Sequence, residues 1–197
     1  MELHAVAWSF MTSGTSNSLN GVWGNHGTDV FAVGLSGTIL QYNGTKWSSM
    51  NSGTVNIVLR SVWGSTGTDV FAVGDSGTIL HYNGIAWSYM ISGASNDIYD
   101  VWGISGTDVF AVGKNGTILH YNGTAWSPMN SGVTENFNGV WGSSGTDVFA
   151  VGESDTIRHY NGTVWSRMSP ASTNVSIESV WGSSGSDVFA VGTSGKI

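Results

Sequence analysis

A unit of about 40 residues recurs five times, and this repetition limits the fold more than any other feature of the chain. Val-Trp-Gly places its Trp at Trp23, Trp63, Trp102, Trp141 and Trp181, at intervals of 40, 39, 39 and 40 residues. A second Trp, followed by Ser, stands at Trp8, Trp47, Trp87, Trp126 and Trp165. Asp-Val-Phe-Ala-Val-Gly begins at Asp29, Asp69, Asp108, Asp147 and Asp187. Such a unit cannot bury its apolar face alone, so successive units must stack. The stretch after Trp181 and the stretch before Trp23 add up to one further period. A closed ring needs that phase; an open solenoid does not.

Each unit reads as four short strands. In the second unit these are residues 59–64, 69–74, 78–83 and 86–90, separated by Ser65-Thr66-Gly67-Thr68, Asp75-Ser76-Gly77 and Asn83-Gly84. Asn-Gly between apolar runs is a strong hairpin signal, because both residues tolerate positive φ. It recurs at Asn43, Asn83, Asn122 and Asn161. The second strand, Asp-Val-Phe-Ala-Val-Gly, is apolar on both faces. In an antiparallel meander, that requires a sheet covered on both sides. Blades stacked around an axis meet this requirement, and a two-sheet sandwich does not.

The expected fold is therefore all-β: one domain, residues 1–197, forming a five-bladed β-propeller of four-stranded antiparallel blades. The blades span about 19–52, 58–92, 97–131, 136–169, and 176–197 together with 1–14. The fifth blade closes the ring by pairing N- and C-terminal strands. Its last strand comes from Trp8-Ser9-Phe10-Met11, and its third is assembled from Lys196-Ile197 and residues 1–4. A monomer is expected, with exchange of terminal strands between two chains as the route to an oligomer.

Gly77-Thr78-Ile79-Leu80-His81-Tyr82-Asn83-Gly84, followed by Trp87, resembles the Gly-Thr-Ile-Leu…Asp-Gly…Thr-Trp repeat of Asp-box and photosystem-assembly-factor-like propellers. Asn stands here where the Asp box has Asp, and the spacing to Gly is shorter, so the resemblance implies a propeller without transferring functional residues. The assembly-factor likeness implies a protein-interaction or assembly scaffold. Five-bladed sugar-binding lectins share blade number and size as an analogy of architecture.

Charge and composition narrow the partners. Six Lys and Arg stand against 13 Asp and Glu, a net charge of −7. That offers no basic stripe for nucleic acid or an anionic membrane. No run approaches the ~20 apolar residues of a membrane span. The first eleven residues lack the basic and apolar regions of a signal peptide; either the protein is cytoplasmic, or a leader outside this chain places it in the periplasm or outside the cell. The chain has no Cys, which removes disulfides and thiolate metal sites. No cofactor is expected. Asn-x-Ser/Thr strings at Asn43, Asn115, Asn122, Asn161 and Asn174 follow from the abundance of Asn, Gly and Thr.

Four groups are candidate sites. The repeated Trp read as packing, with stacking on sugars as the alternative. His81, His120 and His159 share one repeat position, with Gln41 in the first unit. They lie a blade apart, too far for the ~2 Å bonds of one zinc ion, and read as partners of backbone or of a neighbouring blade. The five Asp before Val read as turn residues capping backbone N–H groups. The informative positions are those where the units disagree: residues 15–20, 54–60, 94–99, 133–138 and 173–178, all at one end of the ring. One position there reads Asn20, Arg60, Tyr99, Asn138 and Glu178. A constant scaffold with variable loops on one face is how binding surfaces are carried, so these five are the ligand-binding candidates.

With no catalytic constellation visible, the chain reads as a non-enzymatic binding module, with carbohydrate at repeated equivalent sites as the first ligand class. A protein-interaction scaffold is the alternative, and an engineered or excised propeller a variant of it. A propeller glycosidase would need inward carboxylates in unlike environments, which near-identical units do not offer.

Overall fold

The structure, a computed structural model, describes residues 9–168 and 174–197. Among the described residues, eighteen strands form five antiparallel sheets arranged as successive blades. The first blade holds β1 (Leu19–His26), β2 (Asp29–Gly34), β3 (Ile39–Tyr42) and β4 (Trp47–Met50). The second holds β5 (Leu59–Thr66), β6 (Asp69–Gly74), β7 (Ile79–Tyr82) and β8 (Trp87–Tyr89). The third holds β9 (Ile98–Ser105), β10 (Asp108–Gly113), β11 (Ile118–Tyr121) and β12 (Trp126–Pro128). The fourth holds β13 (Phe137–Ser144), β14 (Asp147–Gly152), β15 (Ile157–Tyr160) and β16 (Trp165–Arg167), and the fifth β17 (Ile177–Ser184) and β18 (Asp187–Gly192). The described helices are three-residue 3₁₀ turns that follow the second strand of the first, second, third and fifth blades.

Each blade follows from its turn chemistry. Gly44, Gly84, Gly123 and Gly162 adopt φ between 86° and 90° in the Asn-Gly hairpins, a region closed to most side chains. The preceding Asn caps the hairpin: Asn83 Oδ1 accepts from the backbone N of Ile85 and Ala86, each at 3.0 Å. The first strands β1, β5, β9, β13 and β17 pack successively against one another.

The core lies between the blades, as the two apolar faces of the second strand require. Phe71, Val73 and Ile79 of the second blade pack against Ile98, Val101, Val109, Leu119 and Trp126 of the third, and the same positions meet at the other joints. Val70, Phe71, Ala72 and Val73 are all completely buried. Most of the repeated Trp belong to this packing. Trp87 and Trp126 are buried, and the indole N–H of each points at a Met sulfur one blade back, Met50 at 3.4 Å and Met90 at 3.5 Å. Trp23, Trp63, Trp102 and Trp141 flank the inter-blade clusters. These rings therefore do not offer a repeated set of open sugar-stacking platforms.

The fifth blade is described only in part. Among the described residues its sheet contains β17 and β18 only. The proposed pairing falls mainly on residues 1–8, outside the described residues. Of the described part, residues 9–11 form no strand, and the Phe10 side chain is fully exposed. Among the described residues, those on the two end faces are less covered than their counterparts at the inner joints. Phe189 is 52% exposed and Trp181 60%, whereas Phe71 and Phe110 are completely buried; on the first blade Val22 is 69% exposed against 6% for Val62.

Candidate functional site

Asn20, Arg60, Tyr99, Asn138 and Glu178 each occupy the second position of a first strand, β1, β5, β9, β13 and β17. Because those strands pack side by side, the five side chains converge. Together with Leu35 and Val58 they line one cavity of about 540 Å³. Glu178 and Asn20, at the far ends of the sequence, share it.

The five are chemically unequal. Asn20 Nδ2 donates to the Leu59 carbonyl at 2.8 Å, and Asn138 Nδ2 donates to the Ile177 carbonyl at 2.9 Å and to Ser176 Oγ at 3.0 Å. Both amides thus tie one blade to the next, leaving their Oδ1 atoms as acceptors. Arg60 Nε donates to Asp75 Oδ1 at 2.5 Å, and its guanidinium lies 4.9 Å from the Tyr99 ring centroid. Glu178 is exposed and makes no described hydrogen bond or ion pair. The cavity therefore presents a guanidinium fixed by a carboxylate and an aromatic face, two amide acceptors and one free carboxylate.

Beside this cavity lies a network that the sequence reading does not single out. Asp100 stands where the other units have Gly21, Ser61, Gly139 and Ser179. Its carboxylate accepts from Ser61 Oγ at 2.7 Å and from the Val140 backbone N at 2.9 Å. One residue of β9 thus ties together β5 and β13. Burial pushes the Asp100 carboxyl above the ordinary carboxylate range, and these hydrogen bonds oppose the shift only in part.

The repeated Asp and His occupy the opposite end and are a joint. His81 Nε2 lies 2.7 Å from Asp69 Oδ1, His120 Nε2 2.7 Å from Asp108 Oδ1, and His159 Nε2 2.6 Å from Asp147 Oδ1. Gln41 Nε2 donates to Asp29 Oδ1 at 3.0 Å in the same way. The His partner is therefore an Asp of its own blade, not backbone or a neighbour, and the Asp receives side chains where turn caps were expected. Ser65, Ser143 and Ser183 donate to the other carboxylate oxygen of Asp69, Asp147 and Asp187. The carboxylate sits between hydroxyl and imidazole, so the imidazole does not face the serine as a base would. The Ser143 hydroxyl, followed by His159, holds the Asp147 carboxyl below its ordinary range. Each Asp also abuts the next blade: a Cβ on Gly106 would lie 1.7 Å from Asp69 Oδ2. Among the described residues no three metal-ligating side chains gather.

No protein-family model and no curated protein matches the chain. Solved structures do match in shape. YCF48 bound to D1 peptide superposes with a TM-score of 0.68 at 14% identity, covering 92% of this chain and 62% of that one. YCF48 from Cyanidioschyzon merolae gives 0.72 at 13% identity, covering 94% and 70%. The WD40 β-propeller domain of Doa1 gives 0.75 at 11% identity, covering 90% and 62%. The chain thus spans under two thirds of the first of these. At such identities the likeness concerns fold, and together with the five antiparallel sheets it establishes that fold: the chain is a β-propeller repeat protein.

Proposed function

We propose that this propeller is a non-enzymatic protein-interaction scaffold, holding a peptide or protein segment across the end of the ring that carries Asn20, Arg60, Tyr99, Asn138 and Glu178. The observation that carries this reading is the convergence of one variable repeat position, read in all five units, on a single cavity of about 540 Å³ within a largely repeated frame. A cavity of this size, with a few fixed polar groups, suits a side chain or turn of a polypeptide. The fold neighbour YCF48, solved with a D1 peptide, supports the reading by showing a peptide on a related frame. A glycan ligand at repeated sites gains no such support. Its stacking residues are largely used between blades, and the five cavity positions differ where equivalent sugar sites would repeat.

The test is affinity capture with the wild-type protein and with an Arg60→Ala/Tyr99→Ala/Glu178→Ala variant of unchanged melting temperature. A protein retained by the first and released by the second fits the proposal. Equal retention by both, or selective binding on a glycan array that the triple variant preserves, contradicts it.

A further inference from the structure

The fourth blade breaks the repeat at three positions that meet in one place. Arg158 stands where the other units have Leu40, Leu80 and Leu119. Arg167 stands where they have Ser49, Tyr89 and Pro128, and Asp155 replaces the turn glycines Gly37, Gly77 and Gly116. All three line a cleft of about 150 Å³ between the fourth blade and the 133–135 segment that leads into it, with Glu135 on its rim.

The two arginines are an unusual pair. The chain has only six Lys and Arg, yet Arg158 and Arg167 sit directly opposite each other on β15 and β16. Like charges in that register repel. Neither has an ion-pair partner among the described residues. Arg158 Nη2 reaches the Gly132 carbonyl at 3.4 Å, and its Nε is buried with no acceptor. Among the described residues no carboxylate pairs with either guanidinium, and the Gly132 carbonyl is the one acceptor that Arg158 meets. Asp155 is held elsewhere, accepting from the backbone N of Asn174 and, at 3.2 Å, of Val175. Glu135 Oε2 accepts from the Thr134 backbone N at 3.2 Å. A buried guanidinium donor without an acceptor is costly, and the blade accepts that cost in place of a leucine that would fill the joint.

We propose that this cleft binds an oxyanion, a carboxylate or phosphate group, between Arg158 and Arg167. A planar guanidinium pairs with two oxygens of such a group, and an anion between the arginines relieves their repulsion. A cleft of about 150 Å³ has room for such a group. Glu135 opposes the anion and keeps binding weak. This site stands apart from the axial cavity and does not depend on it.

Isothermal titration with inorganic phosphate and, separately, with acetate tests the proposal at constant ionic strength, with chloride as the balancing salt. Binding in the millimolar range by at least one anion is expected, and the two arms identify which oxyanion fits. Arg158→Leu, which restores the repeat residue, and Arg167→Ser should each weaken binding about tenfold or more. Glu135→Gln should tighten it. Thermal melts supply a second readout: the anion should raise the wild-type melting temperature above that in chloride, and Arg158→Leu should abolish the difference. An anion affinity or melting shift unchanged in Arg158→Leu and Arg167→Ser overturns the proposal, as does the absence of both signals in the wild-type protein.

Discussion

The guanidinium of Arg60 lies 4.9 Å from the ring centroid of Tyr99, across the joint between the second and third blades. Two of the positions at which the units differ are therefore in contact, and the cavity wall they form is preset rather than assembled on binding. A double-mutant cycle on Arg60→Ala and Tyr99→Ala is expected to show a coupling of about 0.5–1 kcal/mol in denaturant unfolding, the usual size for a cation–π pair at a partly exposed site. Additive effects would mean that the two side chains act separately.

The Asp–His joint makes a steric demand on the next blade. A Cβ on Gly106 would lie 1.7 Å from Asp69 Oδ2. Gly106→Ala is therefore expected to destabilise by about 1–3 kcal/mol, the range for overpacking. In an Asp69→Ala background the added methyl group has room, and most of the loss should disappear. If the loss is the same in both backgrounds, Asp69 is not what excludes the side chain.

Equivalent residues should behave unequally at the open faces. Phe110 is completely buried between the third and fourth blades, while Phe189 at the same repeat position is 52% exposed. Phe110→Ala is expected to lose about 3–5 kcal/mol, and Phe189→Ala under about 1 kcal/mol, as for ordinary surface changes. Equal losses on urea titration would show that the fifth blade's outer face is covered in solution.

Much of this architecture is legible in the repeat. Four strands per unit, their turns and the double-sided burial of Val70 to Val73 follow from Gly spacing and apolar periodicity, and four complete sheets appear as read. The five cavity residues are also readable, because aligning the units exposes where they differ. Partnerships between side chains are not. His81 meets Asp69 because β6 and β7 pair with Phe71 opposite His81, a register that no local pattern announces. The amide of Asn20 is engaged by a carbonyl of the next blade, and Asp100 gains its role from strands on both sides. Arg158 is visible as a departure from Leu, yet only the fold brings Arg167 and Asp155 to the same cleft.

Two carboxyl groups give the stability opposite pH trends. Asp100 titrates above its unfolded value, so the native state binds more protons between those two values and stability falls as pH rises through them. Asp147 titrates below its unfolded value, so its contribution is present at neutral pH and is lost as pH falls through its lowered range. Asp100→Asn keeps an acceptor for Val140 N and a donor toward Ser61 Oγ. It should flatten the stability decline that sets in above the ordinary carboxylate range while preserving the fold, as followed by melts across a pH series. A decline as steep as that of the wild type would assign it to another group.

On the proposed function, partners meet the end of the ring that carries the five variable residues. A photo-crosslinking side chain at Tyr99, beside that cavity, and in a second protein at Thr124, in the exposed hairpin that ends β11 at the other end, tests it directly. Incubation with a native lysate and irradiation should attach a defined protein through position 99 and leave position 124 unreacted. Crosslinks to the same protein from position 124 alone, or equally from both, would place binding elsewhere and contradict the account.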